Sequence, residues 1–85
     1  MNVDKLKVHE FLSGEDPART VFALGPVQFS IRSDFAAEYR PQLQMQCRRA
    51  VQNALDADES ATFKCAGGRI LSRDELLKEV VAQPH

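Results

Sequence analysis

Gly25 and Pro26 divide the run RTVFALGPVQFSIR, Arg19 to Arg32, into two β-prone arms, and no other feature restricts the fold as tightly. Beyond Pro26 the residues alternate without a break: Val27, Phe29 and Ile31 fall on one side, Gln28, Ser30 and Arg32 on the other. A period of two is what a strand with one dry and one wet face requires. Gly tolerates the backbone angles of a tight hairpin loop, and Pro, lacking an N–H, ends ladder pairing at that point. The two arms are therefore predicted to be antiparallel neighbours whose apolar side the rest of the chain must cover.

The cover follows at once in SDFAAEYRPQLQMQCRRAVQNALDADE. Ser33 or Asp34 offers a side-chain cap, while Pro41 disfavours helical geometry at Arg40. The spacing predicts a short helix to Tyr39 and a longer one that opens with Pro41 in its first turn; a single kinked helix is the alternative. Leu43, Cys47, Ala50, Val51, Ala54 and Leu55 then recur at steps of three and four, which makes one apolar stripe. Its small members, Cys47, Ala50 and Ala54, would let the helix lie close to the strands. Gln42, Gln44, Arg48, Arg49, Gln52 and Asn53 take the other side.

The remaining segments are shorter. KVHEFL, Lys7 to Leu12, fits a strand, although Val8, Phe11 and Leu12 also fit helical spacing. SGEDPA is a turn or loop. After DADES, the run ATFKCA reads as a strand, Gly67-Gly68 as a tight turn and RIL as a short returning strand. Ser72 stands three residues ahead of Glu75 and just before ELLKEVV, the spacing of a capping box. Leu76, Leu77, Val80 and Val81 supply that helix with an apolar face, and Pro84 ends it. With 85 residues, 44% of them hydrophobic and 27% charged, the chain has the composition of a folded protein and the length of a single domain, 1–85. The expected fold class is α+β: a small antiparallel sheet of four to five strands, one long central helix packed on it and a short C-terminal helix.

The segment GRILSRDELLKEV, Gly68 to Val80, resembles the second-helix region of the winged-helix output domains of bacterial response regulators. There a Gly-Arg pair, an apolar pair, Ser-Arg and Glu-Leu-Leu recur in that order. In that family the groove-reading helix and the hairpin wing lie downstream, whereas here only Ala82 to His85 follow. A helix-turn-helix without its second helix has nothing to place in the major groove. A glycine turn, a capped helix and packed leucines account for every residue of the segment without DNA.

No motif for catalysis, cofactor or metal stands out. His9, His85, Cys47 and Cys65 form no CxxC, HxxxH or HxxxC pair, and neither histidine is placed by a motif near either thiol. Gly67-Gly68 is followed by Ser-Arg-Asp-Glu and not by the Gly-Lys-Ser/Thr of a phosphate loop. Asp56, Asp58 and Glu59 lack the turn glycine and alternation of a calcium loop. The two cysteines are expected to be free thiols. The net charge of -1 gives no global pull toward nucleic acid or anionic membranes. No apolar run of signal or membrane-spanning length appears, so a cytoplasmic protein is expected.

The expectation is accordingly a small bacterial or phage-encoded regulator, adaptor or inhibitor that is not an enzyme, carries no cofactor and binds another protein, as a homodimer. The helix face with Gln44, Met45, Arg48, Arg49 and Gln52 is the candidate partner surface, because long amphipathic side chains and a methionine outside the stripe suit protein contacts. The wet sheet face with Gln28, Ser30 and Arg32 is the second candidate, for strand-edge pairing. The alternative is a nucleic-acid-binding accessory protein with Arg32, Arg40, Arg48 and Arg49 as a local basic patch.

Overall fold

The computed structural model describes residues 3–82; Pro84, the expected helix stop, and His85 lie outside them. Strands β1 (His9–Leu12), β2 (Arg19–Leu24) and β3 (Val27–Arg32) form an antiparallel sheet in the order β1-β2-β3. Helices α1 (Ser33–Glu38) and α2 (Arg40–Leu55) follow, then β4 (Thr62–Lys64), β5 (Ile70–Ser72) and α3 (Arg73–Ala82). The weakly patterned KVHEFL is thus a strand over its last four residues.

The β2–β3 hairpin has the geometry its sequence demands. Leu24 pairs with Val27 across the Gly25-Pro26 loop, Gly25 has φ 61°, and Phe22 stacks on Phe29 with ring centroids 5.5 Å apart. Glycine is required at position 25 twice over: positive φ strains other residues, and a Cβ there would meet Val80 Cγ2 at 2.9 Å. Along β3 the half-buried residues are Val27, Phe29 and Ile31, and the exposed ones Gln28, Ser30 and Arg32, so the alternation is realised residue by residue.

The helix breaks beside Pro41 as expected, but one residue early: α1 ends at Glu38, and Arg40, expected to be non-helical, already opens α2. Tyr39 leaves the helical region (φ -114°, ψ 25°), and α2 resumes with Pro41 in its first turn, where a missing N–H costs no helical bond. The expected side-chain cap does not form. Arg32 occupies the N-cap position of α1 without a side-chain hydrogen bond, because the Ser33 hydroxyl lies 2.9 Å from that of Thr20 and Asp34 pairs with Arg32 at 2.7 Å. The Ser72–Glu75 capping box does form: the Glu75 N–H donates to Ser72 Oγ at 3.2 Å and the Ser72 N–H to Glu75 Oε1 at 3.1 Å. The Ser72 N–H, with the Ser72 hydroxyl beside it, holds the Glu75 carboxyl below the ordinary glutamate range.

The core lies between the sheet and the helices. Leu43, Cys47 and Val51 of α2 are buried against Phe22 and Leu24 of β2, with Leu76 and Val80 of α3 closing one end. Two further core residues precede the first strand: Val3 is wholly buried and Val8 nearly so. Val81, expected on the packed face of α3, is 54% exposed. Ala54 and Leu55 are half-buried, whereas Ala50, expected in the stripe, is exposed.

The exposure of Ala50 goes with a larger departure from expectation. The strands do not make one sheet of four to five; β4 pairs only with β5, in a separate two-stranded ladder. A groove of about 210 Å³ separates the two sheets, bounded by Pro26, Val27 and Gln28 on one side and Phe63, Lys64 and Cys65 on the other, with Ala50, Ala54 and Leu76 along it. The edge of β3 is closed to a neighbour by its own side of the molecule. Arg19 Nη2 donates to the Ser30 carbonyl at 3.0 Å and Arg19 Nε to Ser30 Oγ at 3.2 Å, while Pro26 brings no N–H. Three-residue strands meeting at a turn built on Gly67 and Gly68, both with positive φ, then satisfy one another.

Candidate interaction surface

Four polar side chains at steps of four, Arg40, Gln44, Arg48 and Gln52, run along one side of α2, and each reaches the chain ahead of or within β1. Residues four apart on a helix stack on one face, so an extended segment laid beside the helix meets them in turn. Gln52 Oε1 accepts from the Val3 N–H at 3.3 Å and Arg48 Nε donates to the Leu6 carbonyl at 2.9 Å. Gln44 Nε2 donates to Glu10 Oε1 at 2.6 Å, and Arg40 Nε to Glu10 Oε2 at 2.7 Å. Gln52 also donates through Nε2 to Asp56 at 3.0 Å. The side chains hold the segment in place while Val3 and Val8 enter the core beneath it.

Of the five residues picked from the sequence, Gln44, Arg48 and Gln52 are therefore half-buried and bonded within the chain. Met45 and Arg49 stay exposed, Met45 at 50%, and the Arg49 side chain bonds to no other described residue. These two, with Pro41, Arg48 and Asp4, line an open depression of about 370 Å³. The one sign of this arrangement in the sequence is the spacing of 40, 44, 48 and 52, which is the same for a solvated face; its occupant carries no sign, because Val3 and Leu6 have no periodicity of their own.

The second candidate, the wet face of the sheet, holds Gln28 and Ser30 beside Ser13, Glu15, Val21 and Phe29 around a shallow hollow of about 530 Å³. Three of the four arginines of a possible nucleic-acid patch are engaged within the chain. Arg32 pairs with Asp34, Arg40 with Glu10, and Arg48 with a backbone carbonyl, which leaves Arg49. Phe29 is half-buried against Phe22 and offers no free ring for a base to stack on.

Both thiols are free. Burial pushes the Cys47 thiol up to about 11, against the opposing pull of the Arg48 guanidinium, so it is a neutral packing group at neutral pH. Cys65 is half-buried at the mouth of the groove between the sheets. Among the described residues no three His, Cys, Asp or Glu side chains come together in a way that would hold a metal ion. No helix among them is long and apolar enough to cross a membrane. No family model matches the chain, and no curated protein or solved structure is significantly similar to it.

Proposed function

We propose that this protein is a non-enzymatic binding module, working in the cytoplasm as a homodimer that engages another protein as a regulator, adaptor or inhibitor. The observation that carries this reading is the pair left over on α2: Met45, half-exposed, and Arg49, whose side chain bonds to no other described residue, next to Pro41 and Asp4 around an open depression. Methionine adapts its shape to an apolar partner group, and arginine is enriched at the centres of interfaces because it combines charge, planarity and an apolar stem. Both are carried by a helix fixed on its other sides by the core and by the N-terminal segment, so little order has to be gained on binding. The partner that fits brings an apolar side chain to Met45 and a carboxylate to Arg49.

The test is affinity capture from the native cell with the wild type and with a Met45→Ser, Arg49→Glu double variant, both checked for an unchanged melting curve. The reading requires a stoichiometric protein retained by the wild type and lost by the variant. Equal retention by both would remove this surface from the account.

A further inference from the structure

The two edges of the three-stranded sheet are not alike. The edge of β3 carries three recognised safeguards against pairing: a proline at its start, exposed arginine at its end, and a guanidinium already seated on the Ser30 carbonyl. The edge of β1 ends instead in two large apolar side chains in water, Phe11 at 50% and Leu12 at 63% exposure. The phase of this edge is fixed. His9 pairs with Ala23 and Phe11 with Val21, and the Ser13 N–H donates to the Arg19 carbonyl at 2.9 Å, so the backbone groups of the odd-numbered residues turn toward β2. Those of Glu10 and Leu12 turn outward.

We propose that β1 pairs antiparallel with β1 of a second copy of this chain, with the two-fold axis at Phe11. The result is a continuous sheet in the order β3-β2-β1-β1-β2-β3. The proposal rests on the homodimer reading above and gives it a surface. Symmetry and phase leave few registers, because outward-turned residues must face outward-turned residues. A register centred on Glu10 sets two carboxylates opposite each other; one centred on Leu12 carries both His9 and Glu10 beyond Ser13, where the ladder to β2 ends. Centring on Phe11 avoids both faults. Glu10 then faces Leu12, His9 faces Ser13, and the two phenylalanines meet as a directly opposed pair of the close, non-hydrogen-bonded kind, where aromatic side chains interact best. The same register runs Lys7 of each copy toward Glu15 of the other, opposite charges at both ends. The charge of Glu10 is already balanced within its own chain by Arg40 at 2.7 Å. This self-complementarity under a two-fold axis is what singles out a second copy as the occupant.

Sedimentation equilibrium of the full chain should show a concentration-dependent dimer. Leu12→Pro removes an N–H that points away from β2, so it should leave the thermal melt of the monomer largely intact and abolish the dimer. Phe11→Cys in a Cys65→Ser background should form a disulfide-linked dimer on mild oxidation, since directly opposed residues of this kind lie about 4.5 Å apart at Cα, within disulfide reach. Gln28→Cys in the same background, on the guarded edge, should stay unlinked. A wild type that remains monomeric at millimolar concentration overturns both this proposal and the homodimer reading. A dimer that survives Leu12→Pro, or that fails to cross-link through Phe11→Cys, overturns this interface and leaves a homodimer formed elsewhere.

Discussion

Helix α2 is held along two of its sides, and by different physics. Toward the sheet it presents Leu43, Cys47 and Val51, all buried, an apolar seam whose attraction has no direction and scales with the area taken from water. Toward the N-terminal segment it presents Arg40, Gln44, Arg48 and Gln52, each making a directed hydrogen bond to one atom. The first side tolerates any side chain of the right bulk. The second depends on spacing and reach, and it gives little net energy per bond because each donor and acceptor could be satisfied by water instead. What the polar side achieves is placement: it fixes the backbone around Leu6 so that Val3 and Val8 close the core.

The difference can be broken from either side. Val51→Asp puts an unpaired charge into the seam and should cost about 4 kcal/mol or more, enough to unfold a domain of this size, which circular dichroism would register as loss of the cooperative transition. Arg48→Ala removes the charged donor from the half-buried Leu6 carbonyl; an unfolding free energy from urea titration lower by about 1–2 kcal/mol is expected, with the helical signal kept. Arg40→Ala should cost less, under about 1 kcal/mol, because that arginine is half-exposed in its pair with Glu10. The loss should also shrink in high salt, as screening already weakens the pair in the wild type. An Arg40→Ala penalty that equals the Arg48→Ala one and ignores salt would show that the polar side works as one packed unit and not as separate bonds.

The seam was legible in the sequence and the polar side was not, for a physical reason. Periodicity records burial, so Leu43, Cys47 and Val51 announce themselves, as do Val27, Phe29 and Ile31 on β3. A polar side chain at helical spacing reads the same whether it faces water, a partner or another stretch of its own chain. The sequence alone therefore groups Gln44, Arg48 and Gln52 with Met45 and Arg49, and the structure separates the two sets. The hairpin at Gly25-Pro26, the break at Tyr39 and the Ser72–Glu75 cap were legible because each depends on local backbone chemistry. The division into two sheets was not, since whether β4 joins β3 or pairs with β5 alone is settled by tertiary packing, which leaves no local sign. Ala50 follows from the same cause: a groove stands where one continuous sheet would have covered it.

The account stands most directly on Val3, a residue near the start of the chain that no sequence pattern marks and that the structure buries as completely as Val51 in the middle of α2. Urea unfolding of Val3→Ala and Val51→Ala against the wild type compares them on equal terms, because each deletes the same two methyl groups. Both variants should lose about 2 kcal/mol, with slopes unchanged. A Val3→Ala curve that overlays the wild type while Val51→Ala falls would mean that the N-terminal segment is not part of the core, and that the polar side of α2 is open after all.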